Sequence, residues 1–457
     1  MLVSIVHRFI WIVFQPLVRV CTKQLILNRE VILQEKLPVI FVSNHESHFD
    51  PFLISGATPC FGRIMPIRFF TRDIFFEQLI FKHILWLLGA FPGHIGYGLE
   101  TSAEKPLSFL KQGYSIGIFP EWCFPNEPEC SRMERVAPYI SQKSMRPIIP
   151  VFLYGIEELH WGKVFALRKR NIISFGDPIY PNPSEPLEKY TERVSRGMLD
   201  ARLRCIHYLK TEEHQFWLSY AKFYKYLELA LPYQHMLQAI RSLLPDNIRG
   251  QWLDIGTGSG AMVQLLLDKL DKSDKATHRI IATDFNEDML TLARGRFRDS
   301  DLVQVKKLDL NHTMPHEADS FSGVVANLVL PYITHHETIL GKRVFGLLLG
   351  QIFRVLRPGG VFLFSTPKHQ VNFILVALGS WRSFFDRQHP EYRKYALYIL
   401  RHALQIQEWG RREMYNFPSL SGLEKLVHDT GFQDIQIRAA LVGQVYIVSC
   451  RKPAIKV

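Results

Sequence analysis

Apolar and polar positions along this 457-residue chain follow two successive regimes. In the first, short apolar runs of strand length stand apart at 37–42 (LPVIFV), 115–119 (SIGIF) and 148–153 (IIPVFL), with helical stretches between them. A Pro-rich turn region follows around 177–191, and a helical pattern resumes through Tyr208. From Glu212 a new, aromatic helix is predicted (FWLSYAKFYKYLELALPYQHMLQAI), and beyond Gly250 the pattern becomes strand, glycine turn, helix, repeated. This alternation predicts α/β architecture in two domains, 1–208 and 213–457, joined without a floppy linker. No internal repeat or low-complexity tract interrupts it.

The first twenty residues, MLVSIVHRFIWIVFQPLVRV, are apolar but broken by His7, Arg8, Gln15, Pro16 and Arg19. A spanning helix wants about 20 nearly uninterrupted apolar residues. A signal peptide wants its charges first and a small-residue cleavage site. An interfacial helix fits better, with Phe9, Trp11 and Phe14 as anchors; an ordinary core helix is the competing reading. The run Phe81 to Phe91 is too short to span and is a second candidate interfacial surface. The expectation is a peripheral protein on the cytoplasmic side of a membrane lipid surface.

Composition changes this picture little. Hydrophobic residues make up 47 % and charged residues 21 %, values of a folding chain. The formal charge of +12 is spread evenly, with 25 Lys/Arg against 19 Asp/Glu up to Thr211 and 30 against 24 beyond. No dense basic tail points to nucleic acid, whereas anionic lipid and acidic thioester carriers suit such a surface. Six cysteines without a CxxC pair point to a reduced compartment and to no metal site.

Candidate chemistry begins at Asn44-His45-Glu46-Ser47-His48-Phe49-Asp50, directly after the run VIFVS. A His with an Asp five residues on can hydrogen-bond across one turn. The carboxylate fixes the imidazole tautomer, and the other ring nitrogen is left to take a proton from an alcohol. Downstream stand Phe119-Pro120-Glu121 and Ile149-Pro150-Val151. The set NHx4D, then FPE, then a P-V strand resembles the glycerolipid acyltransferase family that includes lysophosphatidic acid acyltransferases, over roughly residues 30–180. The resemblance implies His45 as general base, Asp50 as its orienting partner and Glu121 as positioner of the acceptor. The acyl donor it implies is acyl-CoA or an acyl-carrier-protein thioester. Arg72 sits where the family often has a basic residue, and a surface charge is the equal alternative. Two departures stand out. The Gly89–Ile95 block lacks the family's arginine, and Trp122 replaces the glycine after FPE. The missing arginine, and the basic residue that usually follows shortly after the family's FPEG, would bind the acceptor's phosphate, and Trp122 narrows the site, so the acceptor is left open.

The strongest motif is Trp252-Leu253-Asp254-Ile255-Gly256-Thr257-Gly258-Ser259-Gly260, an apolar run into a glycine turn and then a helical stretch. Glycines there let backbone approach a ligand closely. The next strand pattern ends at Asp284, where an acid can hold both ribose hydroxyls. A nicotinamide fold shares this logic. Asp254, Asp309 after a third strand, and Val355-Leu356-Arg357-Pro358-Gly359-Gly360 before VFLFS instead resemble the class I methyltransferase family. So do the two closing strands of GFQDIQIRAALVGQVYIVSCRK. This resemblance spans about 215–452 and implies S-adenosylmethionine bound near Asp254, Gly256, Gly258, Gly260, Asp284 and Asp309. Asn327, after the fourth strand, is a candidate on the acceptor side; His335 and His336 are candidate bases or plain helix-start residues. The insertion 371–415, rich in aromatic and basic groups, reads as a lid, a lipid-facing surface or simple packing.

The combined expectation is a bifunctional lipid-modifying enzyme of two α/β domains, both halves serving one lipid product. The rival is a methyltransferase whose acyltransferase half has lost catalysis and serves as a membrane- or lipid-binding module. The Gly93 and Trp122 departures favour the rival, and the intact His45/Asp50 pair opposes it.

Overall fold

A computed structural model of the protein describes all residues except 1, 37, 72–75, 77–78, 94–97, 121–134, 157–169, 271–277, 387–388 and 455–457. Two compact units emerge, Met1–Tyr208 and Leu209–Val457. The division falls inside one helix, Leu187–Tyr224, where the sequence pattern suggested two. No proline interrupts residues 208–213, and Lys and Glu are good helix formers, so the helix continues through them.

In the first unit, a seven-stranded sheet is built from β1 (Leu25–Leu27), β2 (Ile40–Ser43), β3 (Ile67–Thr71), β4 (Ala90–Pro92), β5 (Ser115–Ile118), β6 (Ile148–Tyr154) and β7 (Ile172–Phe175). Their order is β1-β7-β6-β2-β5-β3-β4. Every pair is parallel except β6–β7. Central β2 and β5 are buried along their whole length, which is why they read as continuous apolar runs and not as alternation. Period two still sorts their side chains. Ile40 and Val42 pack with Ile116 and Ile118 on one face, and Phe41 packs with Phe69, Val151 and Phe175 on the other.

The first helix, Leu2–Thr22, buries Val3 and Val18 and leaves Ile5, Phe9, Ile12, Val13 and Val20 exposed as an outward apolar stripe. Trp11 does not join that stripe: its indole nitrogen donates to the Thr58 carbonyl at 3.0 Å, so it turns inward. The Phe14 side chain lies outside the described residues. The run 81–91 divides between a helix, Leu79–Leu87, and β4. Among the described residues no helix is long and apolar enough to cross a membrane.

The second unit holds another seven-stranded sheet, built from β8 (Gln251–Ile255), β9 (Arg279–Asp284), β10 (Val303–Lys307), β11 (Phe321–Asn327), β14 (Leu356–Pro367), β15 (Gln433–Ala440) and β16 (Val445–Arg451). The order is β10-β9-β8-β11-β14-β16-β15, with only β16 antiparallel to its neighbours. The strand order reverses between β8 and β11, and a crevice for ligand opens at such a switch point, at the carboxyl ends of the strands. In β14, Arg357–Gly360 loop out between the Phe321↔Leu356 and Gly323↔Val361 pairings. The insertion 371–415 is helical, at Phe373–Gly379, Trp381–Phe384 and Pro390–Arg411. His335 and His336 do not start a helix; they form β12, paired with β13 (Ile339–Leu340).

Candidate functional site

In the first unit, β2 delivers its polar cargo at its carboxyl end. Asp50 opens the helix Asp50–Ala57 and is fully buried. Its Oδ2 accepts from the backbone amides of Glu46 and Ser47 at 2.7 and 3.0 Å and faces His45 Nδ1 at 2.7 Å. A carboxylate can only accept, so Nδ1 carries the proton and Nε2 is the free base. The His45 side chain remains 44 % exposed, open to an incoming hydroxyl. Beneath it lies the Phe119 ring, 4.7 Å between centroids, brought there because β2 and β5 are parallel neighbours with Val42 opposite Ile118. Glu121 and Arg72 lie outside the described residues, as does Trp122.

One residue of this site escaped the sequence reading as a contributor. Asn44 accepts from the Leu153 amide at 2.8 Å and donates to the Leu153 carbonyl at 2.9 Å. It thereby pins the loop carrying His45 to β6. A side-chain amide offers the donor and the acceptor on separate atoms, as this bracket uses them.

In the second unit, the turn after β8 runs Gly256 to Gly260. Gly256 has φ +66°, and a Cβ there would stand 2.3 Å from the Val329 side chain. Gly258 has φ +52° with the Tyr224 ring 3.1 Å from where a Cβ would be. A cavity of about 330 Å³ opens over this turn, and its walls include Gly256, Gly258, Asp284, Asp309 and Asn327. Gly260 is not part of the wall; its missing side chain makes room for the Phe297 ring, a packing role. Asp254 is not in the wall either. It lies fully buried just before it, with no hydrogen bond to either carboxylate oxygen. Burial pushes its pKa up to about 7, opposed by the adjacent Thr257 hydroxyl and assisted by the Asp284 charge.

Asp284 accepts from the Gly258 amide at 3.0 Å and the Asn286 amide at 2.9 Å, while burial raises its pKa. For Asp309 burial also disfavours ionisation, but the Asn311 amide at 3.0 Å and the Lys210 ammonium at 3.4 Å outweigh it and hold the carboxyl below its ordinary value. Asn327 is spoken for: it donates to the Tyr233 hydroxyl at 3.0 Å and accepts from Ser365 at 2.6 Å. Its amide braces the turn after β11 and is less free to grip a ligand than its position in the sequence suggested.

Over the cavity, the helix Leu187–Tyr224 presents Lys210, Glu213, Trp217, Tyr220 and Tyr224, the three-and-four spacing of one helical face. Glu213 is a group the sequence concealed. Burial pushes it up to about 8, against a hydrogen bond from Thr334 at 3.2 Å. His335 lies 3.9 Å away, and burial lowers it to about 4 with help from the Lys210 charge. Both are therefore neutral at pH 7, and the contact is not an ion pair. His336 accepts at Nε2 from Gln351 at 2.8 Å, so its Nδ1 donates to the Leu310 carbonyl at 2.8 Å; it has no nitrogen left to act as a base.

Glycine backbone, a carboxylate at the end of β9 and apolar walls from Ile255, Leu308 and Leu310 fit a nucleoside. A buried carboxylate without a partner favours a ligand carrying positive charge over one bringing a pyrophosphate to the glycine turn. S-adenosylmethionine, cationic at its sulfonium and amino groups, satisfies both requirements.

The two units are thus α/β folds with polar groups gathered at the carboxyl ends of parallel strands. A family model described as Acyltransferase matches residues 26–154, and one described as Methyltransferase domain matches residues 249–412. The chain carries an acyltransferase domain followed by a methyltransferase domain. Its relatives include demethylmenaquinone methyltransferase of Lactococcus lactis, 24 % identical over 40 % of this chain and 66 % of that protein. Trans-aconitate 2-methyltransferase of Acidovorax ebreus is 24 % identical over 45 % of this chain and 76 % of that protein. The chain thus spans just under two thirds of the first of these. Among solved structures, an S-adenosylmethionine-dependent methyltransferase of Mesorhizobium loti matches 47 % of this chain and 96 % of its own, at 18 % identity and a TM-score of 0.32.

Proposed function

We propose that the protein is a bifunctional lipid-modifying transferase at a membrane surface. One half moves an acyl group from acyl-CoA or an acyl carrier protein to a lipid-type hydroxyl, and the other methylates with S-adenosylmethionine. The observation that carries the acyl half is the half-exposed His45 held at 2.7 Å by a buried Asp50. His45 Nε2 takes the proton of the acceptor hydroxyl as its oxygen attacks the thioester carbonyl. The C–S bond breaks, and the same proton passes to the departing thiolate, giving an ester and a free thiol. Asn44 and Asp50 hold the imidazole in place, and Glu121 is assigned to the acceptor by its position in the family motif.

In the methyl half, bound S-adenosylmethionine supplies an electrophilic methyl group. Asp284 would hold the ribose hydroxyls and Trp217 and Tyr220 on the roofing helix would keep water out, while Asp254, buried behind the wall, is assigned to the cationic end by its place in the family motif. The outward stripe Ile5, Phe9, Ile12, Val13 and Val20, with Arg8 on the same helix, supports attachment to anionic lipid. Incubating the full chain with labelled acyl-CoA, methyl-labelled S-adenosylmethionine and a bacterial lipid extract tests the reading. Both labels should enter the organic phase, on one product if the two halves serve one lipid. Methyl label confined to water-soluble products contradicts lipid modification by the second half.

A further inference from the structure

The methyltransferase unit contains a second cavity, of about 410 Å³, that the cofactor does not account for. It is formed by the insertion, with walls that include Phe373, Val376, Ala396, Ile399 and Ala403. Trp217, Tyr220, Tyr224, Leu328 and Tyr332 belong to the walls of both cavities, so the two abut across an aromatic partition. Its size lies within the usual range for a small-molecule site, roughly 300–1,000 Å³.

The lining decides what such a space can hold. No Asp, Glu, Lys, Arg or His is among its described wall residues; the polar side-chain atoms belong to Ser380, to tyrosines and to the indole nitrogens of Trp217 and Trp381. Those phenols stay protonated and so are not available as bases, since burial raises the pKa of Tyr220, Tyr224, Tyr233 and Tyr332 above its ordinary value. A wall of this kind offers no ion-pair partner and no side-chain base for a reacting head. It can bury methylene groups. At its outer edge Trp381, Phe385 and Leu397 line the same cavity while 59, 70 and 75 % exposed, so its mouth is apolar and lies at the surface. Arg382, 5.4 Å from the Trp381 ring, puts a cation at this edge.

We propose that this cavity binds the hydrocarbon chain of the methyl acceptor, which enters between Trp381, Phe385 and Leu397 and brings its reacting head to the aromatic partition beside the cofactor cavity. The acceptor class is an amphiphile with a single extended apolar chain. The proposal rests on the methyl-transfer reading of the first cavity.

The test uses the full chain, the neutral fluorophore N-phenyl-1-naphthylamine and n-alkanols from hexanol to decanol as competitors. Alkanol affinity should rise about fourfold per added CH₂ until the cavity is filled. Ala396→Trp and Ala403→Trp should weaken probe and decanol binding at least tenfold, and calorimetric affinity for S-adenosylmethionine should stay within twofold. The rim variant Leu397→Arg changes an exposed residue and guards against misfolding; it should weaken decanol several-fold. Unchanged probe and decanol affinity in all three variants, with S-adenosylmethionine still bound, overturns the chain-binding proposal. Failure of the parent protein to bind S-adenosylmethionine overturns the methyl-transfer reading beneath it.

Discussion

Asp50 and Asp254 are both fully buried aspartates at the carboxyl end of a central strand, and they are held in opposite ways. Asp50 meets two backbone amides and an imidazole, so its site is assembled before any substrate arrives. Asp254 has no hydrogen-bond partner on either carboxylate oxygen, and burial, assisted by the Asp284 charge and opposed by the Thr257 hydroxyl, lifts it to about 7. The first arrangement fixes the imidazole tautomer and leaves Nε2 open to a hydroxyl. The second leaves a buried carboxylate without a partner, which the proposed cationic cofactor would meet. Preorganisation marks the acyltransferase site, and ligand dependence marks the methyltransferase site.

The sharpest way to break this comparison is at His45. Replacing it with Ala should slow thiol release from acyl-CoA by about 10²–10⁴-fold, the usual loss of a general base. A rate like the parent's, followed with a thiol-reactive dye, removes His45 from the chemistry. Asn44→Ala comes next. It leaves both backbone groups of Leu153 unpaired, at about 1–3 kcal/mol for each buried group left unsatisfied. Denaturant titration should show the loss of stability, and kcat for acyl transfer should fall more than KM rises. Asn44→Asp, which keeps the acceptor and loses the donor, should fall between.

The smallest effect is one of pH. Folded Glu213 keeps its proton up to about 8, whereas an unfolded Glu releases it near its ordinary value of 4.5. Between these values the folded state binds more protons, so rising pH removes stability until about 8 is passed. Glu213→Gln should therefore match the parent's melting temperature near pH 5 and exceed it at pH 8. Parallel melting curves across this range would mean that Glu213 is ionised in the folded protein.

Much of this was legible in the sequence where the cause is local. The His45–Asp50 pair spans five residues, and the glycine turn after β8 spans five more, so both could be read without knowing the fold. The runs that became β2, β5 and β6 were visible because strands buried on both faces are apolar throughout. β1 and β4 were not, being three residues long; β7 (IISF), as long and as buried as β2 and β5, stands directly after the charged run 168–171 (RKRN); and β3 (IRFFT) carries a buried Arg68 that disguises it. Contacts between distant segments left no trace: the Asn44–Leu153 bracket joins residues 109 apart, and Asn327–Tyr233 joins residues 94 apart. Glu213 looked like one more charge on a helix until the cavity beneath it made it a buried acid. Trp11 looked like a membrane anchor until Thr58 supplied an inward partner for its indole.

Calorimetric titration of S-adenosylmethionine into the full chain, its Asp284→Ala variant and its His45→Ala variant addresses the central claim that two separately organised sites share this chain. Hydrogen bonds to a charged group contribute roughly 1.5–3 kcal/mol, so Asp284→Ala should weaken binding by about 10- to 100-fold. His45→Ala should bind as the parent does. Equal affinity in the Asp284→Ala variant, or a loss of S-adenosylmethionine binding in His45→Ala, would contradict the account.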